Sequence, residues 1–89
     1  MAPSYEFAYT EKALGFLQGL STKHRQQVTQ KIARLANDSK PPGCKQLHNV
    51  QDGDDPVYRI RSGDYRVLYV VREPTIVILD IDHRKDVYR

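Results

Sequence analysis

Arg59, Arg61 and Arg66 stand close together in the stretch Val57-Tyr58-Arg59-Ile60-Arg61-Ser62-Gly63-Asp64-Tyr65-Arg66-Val67-Leu68-Tyr69-Val70-Val71. A guanidinium is planar, keeps its charge, and bonds two oxygens of one carboxylate or phosphate at once. Three of them in one short stretch therefore imply anion chemistry, met either by carboxylates of the chain or by a bound oxyanion. Asp64, Asp80 and Asp82 are the carboxylates at hand, and as surface ion pairs they would leave the arginines without a further role. Arg84 and Tyr88 follow the last apolar run, where Arg84 either joins the other arginines or pairs with Asp80 or Asp82. Tyr88 either joins them too or packs at the chain's end. For proton transfer the candidates are His83 and His48, since histidine is the side chain suited to it near neutrality, and Tyr88, which would need neighbouring cations to lower its pKa. His24 and His48 read as solvated surface.

The elements that position these residues follow from periodicity. The two alternating runs on either side of Ser62-Gly63 predict a β-hairpin. With a two-residue turn there, Arg59 faces Arg66 and Arg61 faces Asp64, while Tyr58, Ile60, Tyr65, Val67 and Tyr69 share the opposite, core-facing side. Upstream, Tyr5, Phe7 and Tyr9 alternate in a short strand. Thr10 caps a helix with Ala13, Leu14, Leu17 and Leu20 as its buried stripe. After a break at Gly19 to Thr22, a second helix over about 22–37 buries Val28, Ile32 and Leu35 and turns Lys23, Arg25, Lys31 and Arg34 outward. Asn37 to Gly43 is a loop because of Pro41-Pro42-Gly43. Lys45 to His48 is a short strand or extended stretch, Gln51 to Pro56 a turn, and Glu73-Pro74 another. Thr75 to Asp82 is apolar on both faces at its start, which suits an interior strand. The result is an α+β chain: an N-terminal strand and an antiparallel helix hairpin packed on one face of a three- to four-strand, mostly antiparallel sheet.

Eighty-nine residues suit a single domain, 1–89, with one core. A hydrophobic share of 39% beside a charged share of 28% argues against disorder. The net charge of +3 is too small to name a nucleic-acid partner by itself. Up to Lys40 there are six Lys/Arg against three Asp/Glu, and from Pro41 onward eight of each, so an anion site in the arginine-rich half must arise from segregation by face. Cys44 is the single cysteine, which excludes an internal disulfide and suits a reducing cytosol. No apolar run reaches membrane-spanning length, and the N-terminus lacks the form of a signal peptide. A soluble, cytoplasmic protein without a membrane partner is the expectation. The three histidines lack zinc-ligand spacing, and no phosphate loop or internal repeat is present.

The arginine hairpin with its Gly63-Asp64-Tyr65-Arg66 tip, followed by His83-Arg84-Lys85-Asp86-Val87-Tyr88 after a strand and a helix hairpin, resembles the RelE/ParE superfamily of toxins from type II toxin–antitoxin pairs. The resemblance covers nearly the whole chain. It implies the RelE-like fold and one of two activities. RelE-like members are ribosome-dependent endoribonucleases that cut messenger RNA, and ParE-like members act on DNA gyrase. The family's phosphate-binding residues carry over to Arg59, Arg61 and Arg66, its closing arginine to Arg84, and its C-terminal tyrosine to Tyr88. A further lysine of the RelE pattern falls on Val57, for which Lys45 is the expected substitute, and the spacing from Arg84 to Tyr88 is shorter than in that pattern.

On the RelE-like reading, which is favoured, the reaction uses neither metal nor cofactor. The 2′-hydroxyl attacks the phosphodiester, so one group must take its proton, cations must stabilise the phosphorane, and the 5′-oxygen must be protonated. The expected catalytic set is Arg61, Arg66, Arg84, Tyr88 and His83, with Arg59 and Lys45 binding substrate. Tyr88 acts as a base or stacks on an RNA base. The implied partners are a cognate antitoxin, the ribosome and messenger RNA. A gyrase inhibitor and an inactive, antitoxin-binding member are the alternatives.

Overall fold

The computed structural model describes residues 5–83. The elements run β1 (Glu6–Tyr9), α1 (Glu11–Gln18), α2 (Thr22–Ala33), a 3-10 turn (Arg34–Ala36), β2 (Lys45–Asp52), β3 (Asp55–Ser62), β4 (Tyr65–Arg72) and β5 (Thr75–His83). The strands form one sheet in the order β1-β5-β4-β3-β2. The expected meander is thus a four-strand one, with the stretch at Lys45 a full strand. The N-terminal strand adds to its far edge, parallel to β5, where Phe7 pairs with Ile76 and Tyr9 with Ile78. β5 accordingly lies inside the sheet, as its apolar start requires.

Thr10 ties the helical layer to this sheet. Its Oγ1 accepts from the Ala13 amide at 3.1 Å, capping α1, and donates to the Leu79 carbonyl at 2.7 Å. Leu79 is the extra residue of a bulge, since Leu68 pairs with Asp80 but Tyr69 with Ile78. In α1 the buried stripe is Ala13 and Leu17, with Phe16 and Leu20 packed partly beside it. Leu14, expected in that stripe, is 44% exposed. The positions i, i+4 from Ala13 and from Phe16 turn the helix so that Phe16 takes the place Leu14 was expected to hold. α2 starts at Ser21, whose Oγ accepts from the His24 amide, and buries Val28 and Ile32. It closes at Ala33, and Leu35 stays buried through the 3-10 turn.

The core lies between the helices and one sheet face. Val28, Ile32 and Leu35 meet Ile60, Val67, Tyr69, Ile76, Ile78 and Ile81, with Tyr58 and Tyr65 partly buried beside them. The core face read from alternation is therefore the one the helices cover. Among the described residues no helix is long and apolar enough to cross a membrane.

Candidate functional site

The central hairpin turns at Gly63-Asp64, one residue later than the spacing suggested. Ser62 pairs with Tyr65, Arg61 with Arg66, and Arg59 with Leu68. Gly63 has φ 59° and, among the described residues, no non-glycine residue has positive φ, which suits a turn with glycine at its first central position. The slip is two residues in pairing, so every side chain keeps its predicted face while its partner changes. Arg61 therefore faces Arg66 rather than Asp64. Like charges directly opposite are unfavourable, and β5 relieves one of them. Asp82 pairs with Arg66 in register and accepts from its Nε at 3.1 Å and its Nη2 at 3.4 Å.

Other cations are also neutralised. Lys12 lies 3.2 Å from Asp80, and Arg72 holds both Asp52 and Asp55, the facing residues of the β2–β3 hairpin. Among the described residues Lys31, Arg34, Lys45, Arg59 and Arg61 make no ion pair. These five gather in one place. β2 pairs with β3 only from Lys45, opposite Arg59, so Ile60–Ser62 runs on with its outer edge unpaired by β2. A notch of about 340 Å³ lies there, lined by Lys31 of α2, Pro42 and Gly43 of the loop, and Lys45, Arg59, Ile60 and Arg61. Among the described residues, the Arg59 Nε is buried without a hydrogen-bond partner. An unsatisfied buried donor is costly. A second depression of about 230 Å³, lined by Gln27, Gln30, Lys31, Arg34, Arg61, Ser62 and Gly63, shares Lys31 and Arg61 with the first. The Ser62 hydroxyl donates to the Gln27 carbonyl at 3.3 Å and holds α2 over the hairpin tip.

Mutual repulsion of these cations makes the site sensitive to anions. Sulfate at ten times its dissociation constant is expected to stabilise the fold by about 1.4 kcal/mol, read as a rise in melting temperature that chloride at equal ionic strength does not reproduce.

The loop wall of the notch hangs on Tyr69. This fully buried side chain donates its hydroxyl to the Ser39 carbonyl at 2.7 Å and lies 3.2 Å from the Cys44 Sγ. Burial, and then the Cys44 contact, push its pKa up from the ordinary tyrosine value. Lys40, 5.0 Å from the Tyr58 ring centroid, is held charged by the Tyr58 hydroxyl and adds a second tether. Tyr69→Phe is expected to cost about 1–2 kcal/mol in urea unfolding at pH 7, because it orphans the Ser39 carbonyl. A raised acid pKa contributes stability that is fully present below the unfolded value near pH 10 and is lost progressively as pH rises from there towards the higher folded value. The gap between wild type and variant should accordingly narrow above pH 10.

The structure does not bring all the expected residues together. Arg59, Arg61 and Lys45 line the notch, and Arg66 is held by Asp82 beside Arg61. His83 pairs with Tyr65 and so lies on the helix-side face, its ring edge-on to Tyr65 with centroids 5.1 Å apart. Because Asp82 faces Arg66, the next residue, His83, lies on the face opposite Arg61 and Arg66. His24 Nδ1 lies 3.4 Å from the same Tyr65 hydroxyl. His48 is exposed in β2, where pairing with β3 shifts between Leu47 and Gln51. Arg84 and Tyr88 lie outside the described residues. Lys31 and Arg34 read in sequence only as the polar side of a helix. Their signal was the spacing of Gln27, Gln30, Lys31 and Arg34, which sets them on one helical face without an acidic residue.

Residues 7–88 match the family model described as the ParE toxin of type II toxin-antitoxin systems, parDE. No curated protein matches the chain. Among solved structures, the chain is similar to RelE of the archaeal RelE-RelB complex from Pyrococcus horikoshii, with 28% identity, a TM-score of 0.76, and coverage of 91% of this chain and 96% of that one. It is similar to a chain of the toxin-antitoxin complex RelBE2 from Mycobacterium tuberculosis, with 25% identity, a TM-score of 0.75, and coverage of 94% and 95%. Free E. coli RelE, in a mutant form, shares the fold at 18% identity and a TM-score of 0.64, over 96% of this chain and 90% of that one.

Proposed function

Because the chain belongs to the ParE toxin family of type II toxin–antitoxin systems, within the RelE/ParE superfamily, and has the RelE-like fold, we propose that it is a metal-free endoribonuclease that cuts messenger RNA on the ribosome. The observation that carries this reading is the notch, where Lys31, Lys45, Arg59 and Arg61 converge and, among the described residues, no carboxylate joins them and the Arg59 Nε has no partner. A phosphodiester satisfies that donor.

In this mechanism Arg59 and Arg61 grip the non-bridging oxygens of the scissile phosphate, and their charge offsets that of the phosphorane. Lys45, opposite Arg59 in the β2–β3 pair, adds a point charge. Arg66 spends Nε and Nη2 on Asp82 and keeps Nη1 for the phosphate, so Asp82 orients it. With His83 on the helix-side face, proton transfer from the 2′-hydroxyl is assigned to Tyr88 and assistance of the leaving oxygen to Arg84, as the family resemblance implies. An open site with so few proton-transfer groups gains from a partner that positions the message, which is the role of the ribosome here. A cognate antitoxin is the remaining partner, as in the complexes from P. horikoshii and M. tuberculosis.

Primer extension on a defined message, with purified protein and with or without programmed ribosomes, tests the proposal. Codon-phased cuts only with ribosomes are expected, and intact message in both lanes from folded protein would sink it. The match to the ParE family model favours gyrase inhibition as the second reading. Accumulated DNA cleavage complexes with intact message would establish that instead. Arg66→Ala is expected to slow cleavage, and undiminished cutting by a folded variant removes Arg66 from the site.

A further inference from the structure

We infer that α2 carries a second phosphate subsite, so that the substrate is a single strand gripped at two successive phosphates rather than one. This rests on the endoribonuclease reading and extends its site off the sheet. Two depressions adjoin on this surface, and Lys31 and Arg61 belong to both. The first is completed by Lys45 and Arg59 and the second by Arg34, so each has cations of its own besides the shared pair. Among the described residues no carboxylate lines either one. A lone phosphate in the first depression leaves Arg34 unused, whereas a chain with phosphates in both uses every cation. Gln27 and Gln30, which also line the second depression, offer amide donors and acceptors suited to a 2′-hydroxyl. Lys31 and Arg34 are thereby positioning residues. They hold the strand while the chemistry occurs at Arg59 and Arg61.

The test compares labelled single-stranded RNAs containing one, two or four phosphodiesters, bound to the full chain over a series of salt concentrations and read by fluorescence anisotropy. Affinity should rise sharply from one phosphodiester to two. The double variant K31Q/R34Q should abolish that rise and lower the salt slope by about 1.4, two contacts at about 0.7 each for a single strand. It should weaken sulfate-induced thermal stabilisation without abolishing it, since the first depression loses Lys31 but keeps Arg59, Arg61 and Lys45. In ribosome assays it should raise the KM for cleavage several-fold and leave kcat near wild type. K23Q, on the same helix but outside both depressions, controls for loss of charge and should behave as wild type. Equal affinity for one and two phosphodiesters, or an unchanged slope in a folded K31Q/R34Q, overturns the subsite even if codon-phased cuts are seen. Absence of both RNA binding and cuts overturns the endoribonuclease reading with it. Salt-sensitive binding of a polyglutamate peptide without RNA binding would reassign the surface to an acidic protein partner.

Discussion

Replacing Arg61 with alanine is expected to lower the rate of codon-phased message cleavage by about 10²–10³-fold, the usual cost of losing one group that stabilises a developing oxyanion. Arg61 is the exposed arginine common to both depressions, and among the described residues its side chain makes no hydrogen bond or ion pair. Its removal therefore breaks no native contact, and opposite it Arg66 loses an unfavourable like-charged neighbour. The melting temperature should stay level or rise slightly while activity falls. Arg72→Ala is the control. It removes the same charge from the next hairpin, where Arg72 is engaged by Asp52 and Asp55, and should leave cleavage untouched. Equal losses in the two variants would mean that cleavage depends on net charge rather than on the notch.

Ile32→Ala is expected to have the largest effect on stability, a loss of about 2–5 kcal/mol from the methyl groups withdrawn and the cavity left behind. Ile32 is 2% exposed and packs in the core cluster between α2 and the sheet. For a domain whose whole stability is about 5–15 kcal/mol, that brings unfolding within reach of ordinary assay temperatures. The functional consequence follows from the neighbouring residue. Lys31 lines the notch from the turn that Ile32 anchors, so the variant should show weakened sulfate-induced stabilisation well before its sheet unfolds. Urea titration by circular dichroism, with and without sulfate, reads both effects. A variant as stable as wild type would show that α2 is held by something other than its apolar stripe.

The chain itself settled those features that depend on neighbours in sequence. Alternation of Tyr58, Ile60, Val67 and Tyr69 marked the core face of the hairpin, and the stripe Val28, Ile32 and Leu35 marked the buried side of α2, because a strand repeats every two residues and a helix every 3.6. Thr10 and Pro41-Pro42-Gly43 marked the start of α1 and the loop after α2, since caps and turns answer to local backbone needs. The two closing motifs carried the family. Tertiary structure alone decided which charges remain unpaired. The turn lay at Gly63-Asp64 because glycine tolerates its φ of 59°, and that shift of pairing by two set Arg61 against Arg66. The bulge at Leu79, held by Thr10, belongs to β5. Asp82 reaches Arg66 only because β5 returns beside β4, and Lys31 and Arg34 reach Arg61 only because α2 crosses the unpaired end of β3. Each of these contacts joins residues on different elements, and periodicity within one element reports which way a side chain points but not what it meets.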